Sequence, residues 1–167
     1  MSCRRAAASS SQDGLRKAIT IYLTASAFAH LTWEALQLPL YTIWNTGTVR
    51  EKAFALTHCT AGDLLIATSC LVVALILGGS RDWPNEKFLR VACVAIVLGV
   101  FYTAFSEWLN VAVRRSWTYS DWMPVIHLGT IGIGLSPLLQ WVVVPTLSFF
   151  YARRAAGRLT DLRRLSS

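Results

Sequence analysis

The chain has 167 residues, of which 54% are hydrophobic and only 15% charged, a balance outside that of a soluble domain of this size. Its net charge of +7 raises the question of nucleic acid, but the cations flank apolar runs instead of forming one basic face, and nucleic acid is excluded on that ground. The composition points to an all-α integral membrane protein, a four-transmembrane-helix bundle with the lipid bilayer as its main partner.

Residues 1–15 are rich in Arg, Ala and Ser without periodicity, and read as a disordered basic tail. Four windows then meet the ~20 residues that a helix needs to cross a bilayer core, and they are predicted over 16–38, 60–79, 88–112 and 125–151. The remainder, 152–167, alternates arginines with Leu159, Leu162 and Leu165 and suits the surface of an anionic leaflet. Twelve cations fall on the side shared by both termini and the middle loop, against Arg50, Lys52, Arg114 and Arg115 on the other. By the positive-inside rule both termini are cytoplasmic, in a plasma or bacterial inner membrane.

The first span ends with His30-Leu31-Thr32-Trp33-Glu34, which sets an imidazole and a carboxylate one helical turn apart on one face. A second reading of this segment treats Ala27-Phe28-Ala29 as a signal-peptide cleavage site; cleavage there would leave His30 as an N-terminal copper chelator. The helical pattern continues to Leu38, where Pro39 stops it, and favours a span. Beyond it, Leu40 to Trp44 is too short to cross and too aromatic for a free loop. Trp33, Trp44, Trp108, Trp117 and Trp122, with Tyr41 and Tyr119, fall at one level, as an aromatic belt or as the lining of an amphipathic-ligand site in which Trp33, Trp108 and Tyr119 take part.

His58 precedes the second span, and Thr60 and Asp63 have the spacing of a capping box at its start. The third span carries Thr103, Glu107 and Asn110 on one face, which cannot look at lipid. In the third connection Trp117, Tyr119, Asp121 and Trp122 suggest a structured cap. The fourth span opens with His127 and continues through a glycine-dense run to Pro137, a composition that permits close helix approach or an interrupted helix.

Glu34, Asp63 and Glu107 are thus carboxylates inside spans with no basic residue in any span to neutralise them. From helix rise, His30 lies roughly 5 Å and the three acids about 10 Å to the outer side of the midplane, with His127 at ~15 Å. All come to one layer although they belong to segments that run alternately up and down. Cys3, Cys59, Cys70 and Cys93 contain no Cys-x-x-Cys pair and only Cys59 falls on the oxidising side, which argues against a quinone-reducing thiol oxidase, and three histidines at unequal depths allow at most one haem.

The donor set His30, Glu34, His58, Asp63, Glu107 and His127 points first to one divalent transition metal (zinc, iron, manganese or copper) that acts on a lipid-like or small amphipathic molecule. Metal-free acid/base catalysis by Glu34, Glu107 and His30 is the second reading, with Asn110 as an orienting group. His30-Leu31-x-x-Glu34, the following Leu40-Tyr41, and Tyr102 to Glu107 resemble the His and Glu positions of the sterol-isomerase-like four-helix membrane fold, and the resemblance implies proton shuttling to and from a lipid double bond. A third reading makes the same residues a structural network in an accessory subunit, in a homo-oligomer or with a membrane partner. A transporter is disfavoured, since no acid lies in the inner half.

Overall fold

The computed structural model describes residues 2–80 and 82–165. In chain order it contains α1 (Ser2–Gln37), a 3-10 turn (Leu38–Leu40), α2 (Ile43–Thr46), α3 (Val49–Gly78), α4 (Phe88–Glu107) continued by a π-helical turn (Trp108–Val113), strands β1 (Val125–Leu128) and β2 (Ile131–Gly134), and α5 (Leu135–Leu165). The four long helices form a ring in which α1 packs on α3 and α5, and α4 packs on the same two. Three segments, Val49–Gly78, Phe88–Val113 and Leu135–Gly157, are long and apolar enough to cross a membrane. α1 is not among them because the face it buries carries Ser26, His30, Glu34 and Gln37. Large apolar side chains such as Leu36, Leu65, Ile76, Phe101 and Leu147 face outward, as a lipid-facing surface requires.

Several expected boundaries move. The N-terminal residues are helical from Ser2, consistent with the high helix propensity of Ala and Arg and with no glycine before Gly14. Helix α3 starts eleven residues before the expected Thr60. Thr48 and Glu51 form the capping box there: the Thr48 amide and hydroxyl donate to Glu51 Oε2, each at 2.7 Å, and the Glu51 amide donates back to Thr48 Oγ1 at 3.3 Å. Thr60 instead bonds the Leu56 carbonyl at 2.8 Å, so Asp63 lies inside a helix and caps nothing.

The largest departure is at 125–134, expected as the first turns of the fourth span and found as an antiparallel hairpin that pairs Val125 with Gly134 and Leu128 with Ile131. β-Branched residues alternate there with Gly129, Gly132 and Gly134, which favours strand over helix, and Gly129 turns the hairpin at φ +63. Pro137 therefore sits in the first turn of α5 and interrupts no helix. The third connection is a structured cap, as expected: Tyr41 and Tyr119 form a β-bridge, Thr42 N donates to Thr118 O at 3.0 Å, and Ser120 N donates to Leu40 O at 2.9 Å.

At the end remote from the hairpin, Ala18, Tyr22, Leu71, Trp83, Phe88, Val91, Phe149 and Ala152 make a close-packed core. Tyr22 stacks on Phe149 at 4.3 Å, and Trp83 meets the same ring edge-on. Small residues let α1, α4 and α5 approach here. Cleavage after Ala29 would remove Ala18, Tyr22 and Ser26 from this buried interface. A cavity opens toward the hairpin end, and the polar residues meet there.

Candidate functional site

Helix α1 presents His30, Glu34 and Gln37 at steps of four and three, all buried between α3 and α5. Gln140, from the second turn of α5, reaches into the same space and is 1% exposed. Its side-chain amide nitrogen stands 2.8 Å from Asp63 Oδ2, 3.1 Å from Glu34 Oε1 and 2.9 Å from His30 Nδ1. An amide has two hydrogens for these three neighbours. An amide nitrogen only donates, so His30 Nδ1 is the acceptor in its contact with Gln140, and the two amide hydrogens are shared among the imidazole and the two carboxylates, with Asp63 Oδ2 also 3.4 Å from Nδ1. His30 Nε2 then carries the imidazole proton and is buried without a hydrogen-bond partner among the described residues. Trp141 lies against the imidazole at 5.2 Å between ring centres.

Gln37 extends the network: its amide donates to Glu34 Oε1 at 2.7 Å and to Gln140 Oε1 at 3.2 Å, while Ser136 Oγ donates to its carbonyl oxygen at 2.8 Å. Glu107 ends α4 just before the π-helical turn and is 5% exposed. The Tyr119 hydroxyl donates to Glu107 Oε2 and accepts from the Gly134 amide at 2.9 Å, so the cap and the hairpin together hold this carboxylate. A cavity of about 1180 Å³ opens beside these groups, and Glu34, Asp63, Glu107 and Gln140 all line it.

The structure brings together Glu34, Asp63, Glu107 and His30, and leaves other expected residues apart. His58 lines the cavity farther out, exposed, and stacks on Phe54 at 5.4 Å. His127 is exposed on β1 opposite Gly132, because the segment is a strand and not a helical turn. Asn110 lines the cavity, but its amide bonds Ser106 in its own helix at 2.9 Å and 3.2 Å and orients no carboxylate. Trp33 donates to Ser136 Oγ at 3.3 Å, and Trp108 packs on Phe105; neither lines the cavity, whereas Trp117 does.

The expected metal centre is not supported: among the described residues no group of three or more His, Cys, Asp or Glu is placed to hold an ion. The physical reason is Gln140, whose amide nitrogen occupies the point between Asp63, Glu34 and His30 where a cation would sit. Sequence reasoning had counted ionisable groups and missed this glutamine. The available signals were an amide within an apolar span and the i, i+3 spacing of Glu34 and Gln37.

The two cap tyrosines bear on pH. Burial, followed by the hydrogen bond to Glu107 and that carboxylate's charge, pushes the Tyr119 phenol well above its ordinary value. Burial and the charges of Glu107 and Glu34 do the same to Tyr41. Both phenols therefore stay protonated, and that of Tyr119 remains the donor to Glu107. Their stabilisation is complete below the unfolded-state value of about 10 and is lost as pH rises from there through the folded-state values. Alkaline ultraviolet titration should show three tyrosines that ionise only with unfolding, these two and the core residue Tyr22, which is 1% exposed, and one fewer in Tyr119→Phe; free titration of all five at about pH 10 would refute the arrangement.

Comparison of the chain with protein-family models, curated proteins and solved structures finds no match, so functional inference rests on this site and on the residues that resemble the sterol-isomerase-like fold.

Proposed function

We propose that the chain is a multi-pass protein of the plasma or bacterial inner membrane, with α1 as a fourth crossing helix and both termini cytoplasmic, and that its cavity performs metal-free proton transfer on a lipid-like amphiphile. One observation carries this reading. Glu34, Asp63 and Glu107, from three different helices, line a single cavity next to His30, and among the described residues no lysine or arginine forms a salt bridge with any of them. Buried carboxyls without a cation hold or exchange protons, or stabilise positive charge that develops in a ligand.

A double-bond shift uses both properties. One carboxyl gives its proton to an alkene carbon, the cation formed is stabilised by the neighbouring carboxylates, and a second base removes a proton from the adjacent carbon. One proton enters, one leaves, and no electrons are exchanged. Glu107, held by Tyr119, and the Glu34–Asp63–His30 group are the two stations. The resemblance of His30, Glu34 and Glu107 to sterol-isomerase-like positions supports the same chemistry.

Deuterium incorporation tests it. Full-length protein in nanodiscs is incubated in heavy water with unsaturated sterol or isoprenoid amphiphiles, which are then examined by mass spectrometry. Wild type is expected to place deuterium on carbon with no loss after chelation, and Glu107→Gln to slow this by about 10²-fold or more while keeping the fold. Exchange that needs a metal, or that survives Glu107→Gln, overturns the proposal.

A further inference from the structure

The positive-inside rule makes cations scarce on the side where this chain has its cavity, so the four found there call for a reason. Lys52 has a local one: its ammonium lies 5.0 Å from the centre of the Trp44 ring. The other three, Arg50, Arg114 and Arg115, all line the cavity. They are exposed, and among the described residues none forms a salt bridge. Glu51, beside Arg50, is engaged with the amide and hydroxyl of Thr48.

Local structure accounts for these arginines only in part: Arg114 and Arg115 end the helix that closes at Val113, where the dipole favours a cation, but Arg50 has no such reason. Arg50 lies in the first turn of α3, where the helix dipole disfavours a cation. Arg115 has φ 53, a left-handed conformation that costs a non-glycine residue energy. It follows the π-helical turn, and the Ser116 amide fixes the reversal by donating to Asn110 O at 2.8 Å. Ile43, Phe54 and Ile66 add apolar surface to the same cavity lining.

We infer that the occupant of this cavity is a membrane amphiphile with a phosphate head, held at the mouth by Arg50, Arg114 and Arg115, with its apolar chain directed inward toward Glu34, Asp63 and Glu107. The inference rests on reading the cavity as a lipid-like site and adds the head-group chemistry. Three guanidinium forks match the three oxygens and the double charge of a phosphate monoester, whereas one fork satisfies a carboxylate. The basic mouth and acidic floor also impose a direction on the ligand, since a phosphate at the floor would meet three carboxyl groups.

Binding to the full-length protein in a neutral detergent tests the inference, read by native mass spectrometry and by tryptophan fluorescence, which Trp117 in the wall makes sensitive to occupancy. The probes are tetradecyl phosphate, tetradecanol and inorganic phosphate. The alkyl phosphate is expected to bind about tenfold or more tighter than the alcohol, as three exposed charge pairs allow. The preference should weaken as salt is raised. It should fall to about twofold in the Arg50→Gln, Arg114→Gln, Arg115→Gln triple variant and persist in Glu107→Gln. If the triple variant does not fold, Arg115→Gln alone with the salt series serves. Equal binding of phosphate and alcohol, inorganic phosphate binding as tightly as the alkyl phosphate, or a preference that survives arginine removal each overturns the inference. Tight alkyl phosphate binding without deuterium exchange leaves it standing and removes the proton-transfer reading; exchange on a neutral lipid, unchanged in the arginine variant, does the reverse.

Discussion

Gln140→Leu is expected to destabilise the protein by about 3 kcal/mol, more than any other single polar substitution in the bundle. An average interhelical hydrogen bond in a membrane is worth only ~0.6 kcal/mol, because the separated helices find other partners. Gln140 is a different case. Among the described residues its amide is the one donor that reaches both Glu34 and Asp63, and it also lies against the buried His30. Leucine fills similar volume but leaves two carboxyl groups facing each other with one donor removed from each. The cost is then the desolvation of groups left unpaired, which is larger than the bond itself. Gln37→Leu should cost less, about 1 kcal/mol, since Glu34 keeps the Gln140 donor. Equilibrium unfolding in detergent, read by circular dichroism, gives the comparison. If Gln140→Leu proves as stable as wild type, the network is not what holds α1, α3 and α5 in register. Gln140→Ala, which does vacate the point between the acids and His30, should gain affinity for divalent zinc relative to wild type.

Gly99→Ala should destabilise by roughly 1–3 kcal/mol, although alanine is normally the better helix former. Gly99 lies on the buried face of α4, directly under the Trp141 ring of α5. A Cβ added there would stand 2.1 Å from Trp141 Cε3, so the ring or the helix must move. Trp141 is 2% exposed and packs against His30, and it therefore has little free space to move into. Displacement would be transmitted to the imidazole, and the substitution should lower activity as well as the unfolding midpoint. Trp141→Leu removes the ring that clashes. The double variant should recover part of the loss, a coupling that a mutant cycle measures directly. Additive effects in that cycle would mean that Gly99 and Trp141 do not meet.

Helices long and apolar enough to cross a membrane, the helical class and the gathering of Glu34, Asp63, Glu107 and His30 in one polar cluster were legible from residues alone. The reason is that hydropathy, helix rise and alternation of direction set depth without reference to packing. Helix starts were less legible where two local signals competed. Thr60 and Asp63 have cap spacing, but Thr48 and Glu51 have it too, with the longer carboxylate arm and no breaker in between, and they define the start of α3. At 125–134, a hydropathy window cannot distinguish a buried helix from an apolar hairpin of the same composition.

Sequence by itself determined which groups are too costly to bury alone, and so which must find one another: three carboxylates and a histidine within apolar segments. Tertiary structure decided what each of them finds. It placed Gln140 between Asp63, Glu34 and His30, where an ion was expected; it gave Glu107 to Tyr119 across a cap assembled from two distant loops; and it put His127 on the outside of a strand. A side chain's depth follows from its position along one helix, whereas its partner depends on the rotation of every helix about its own axis. That rotation is set by packing contacts such as Gly99 on Trp141 and Tyr22 on Phe149, which join residues far apart in the chain.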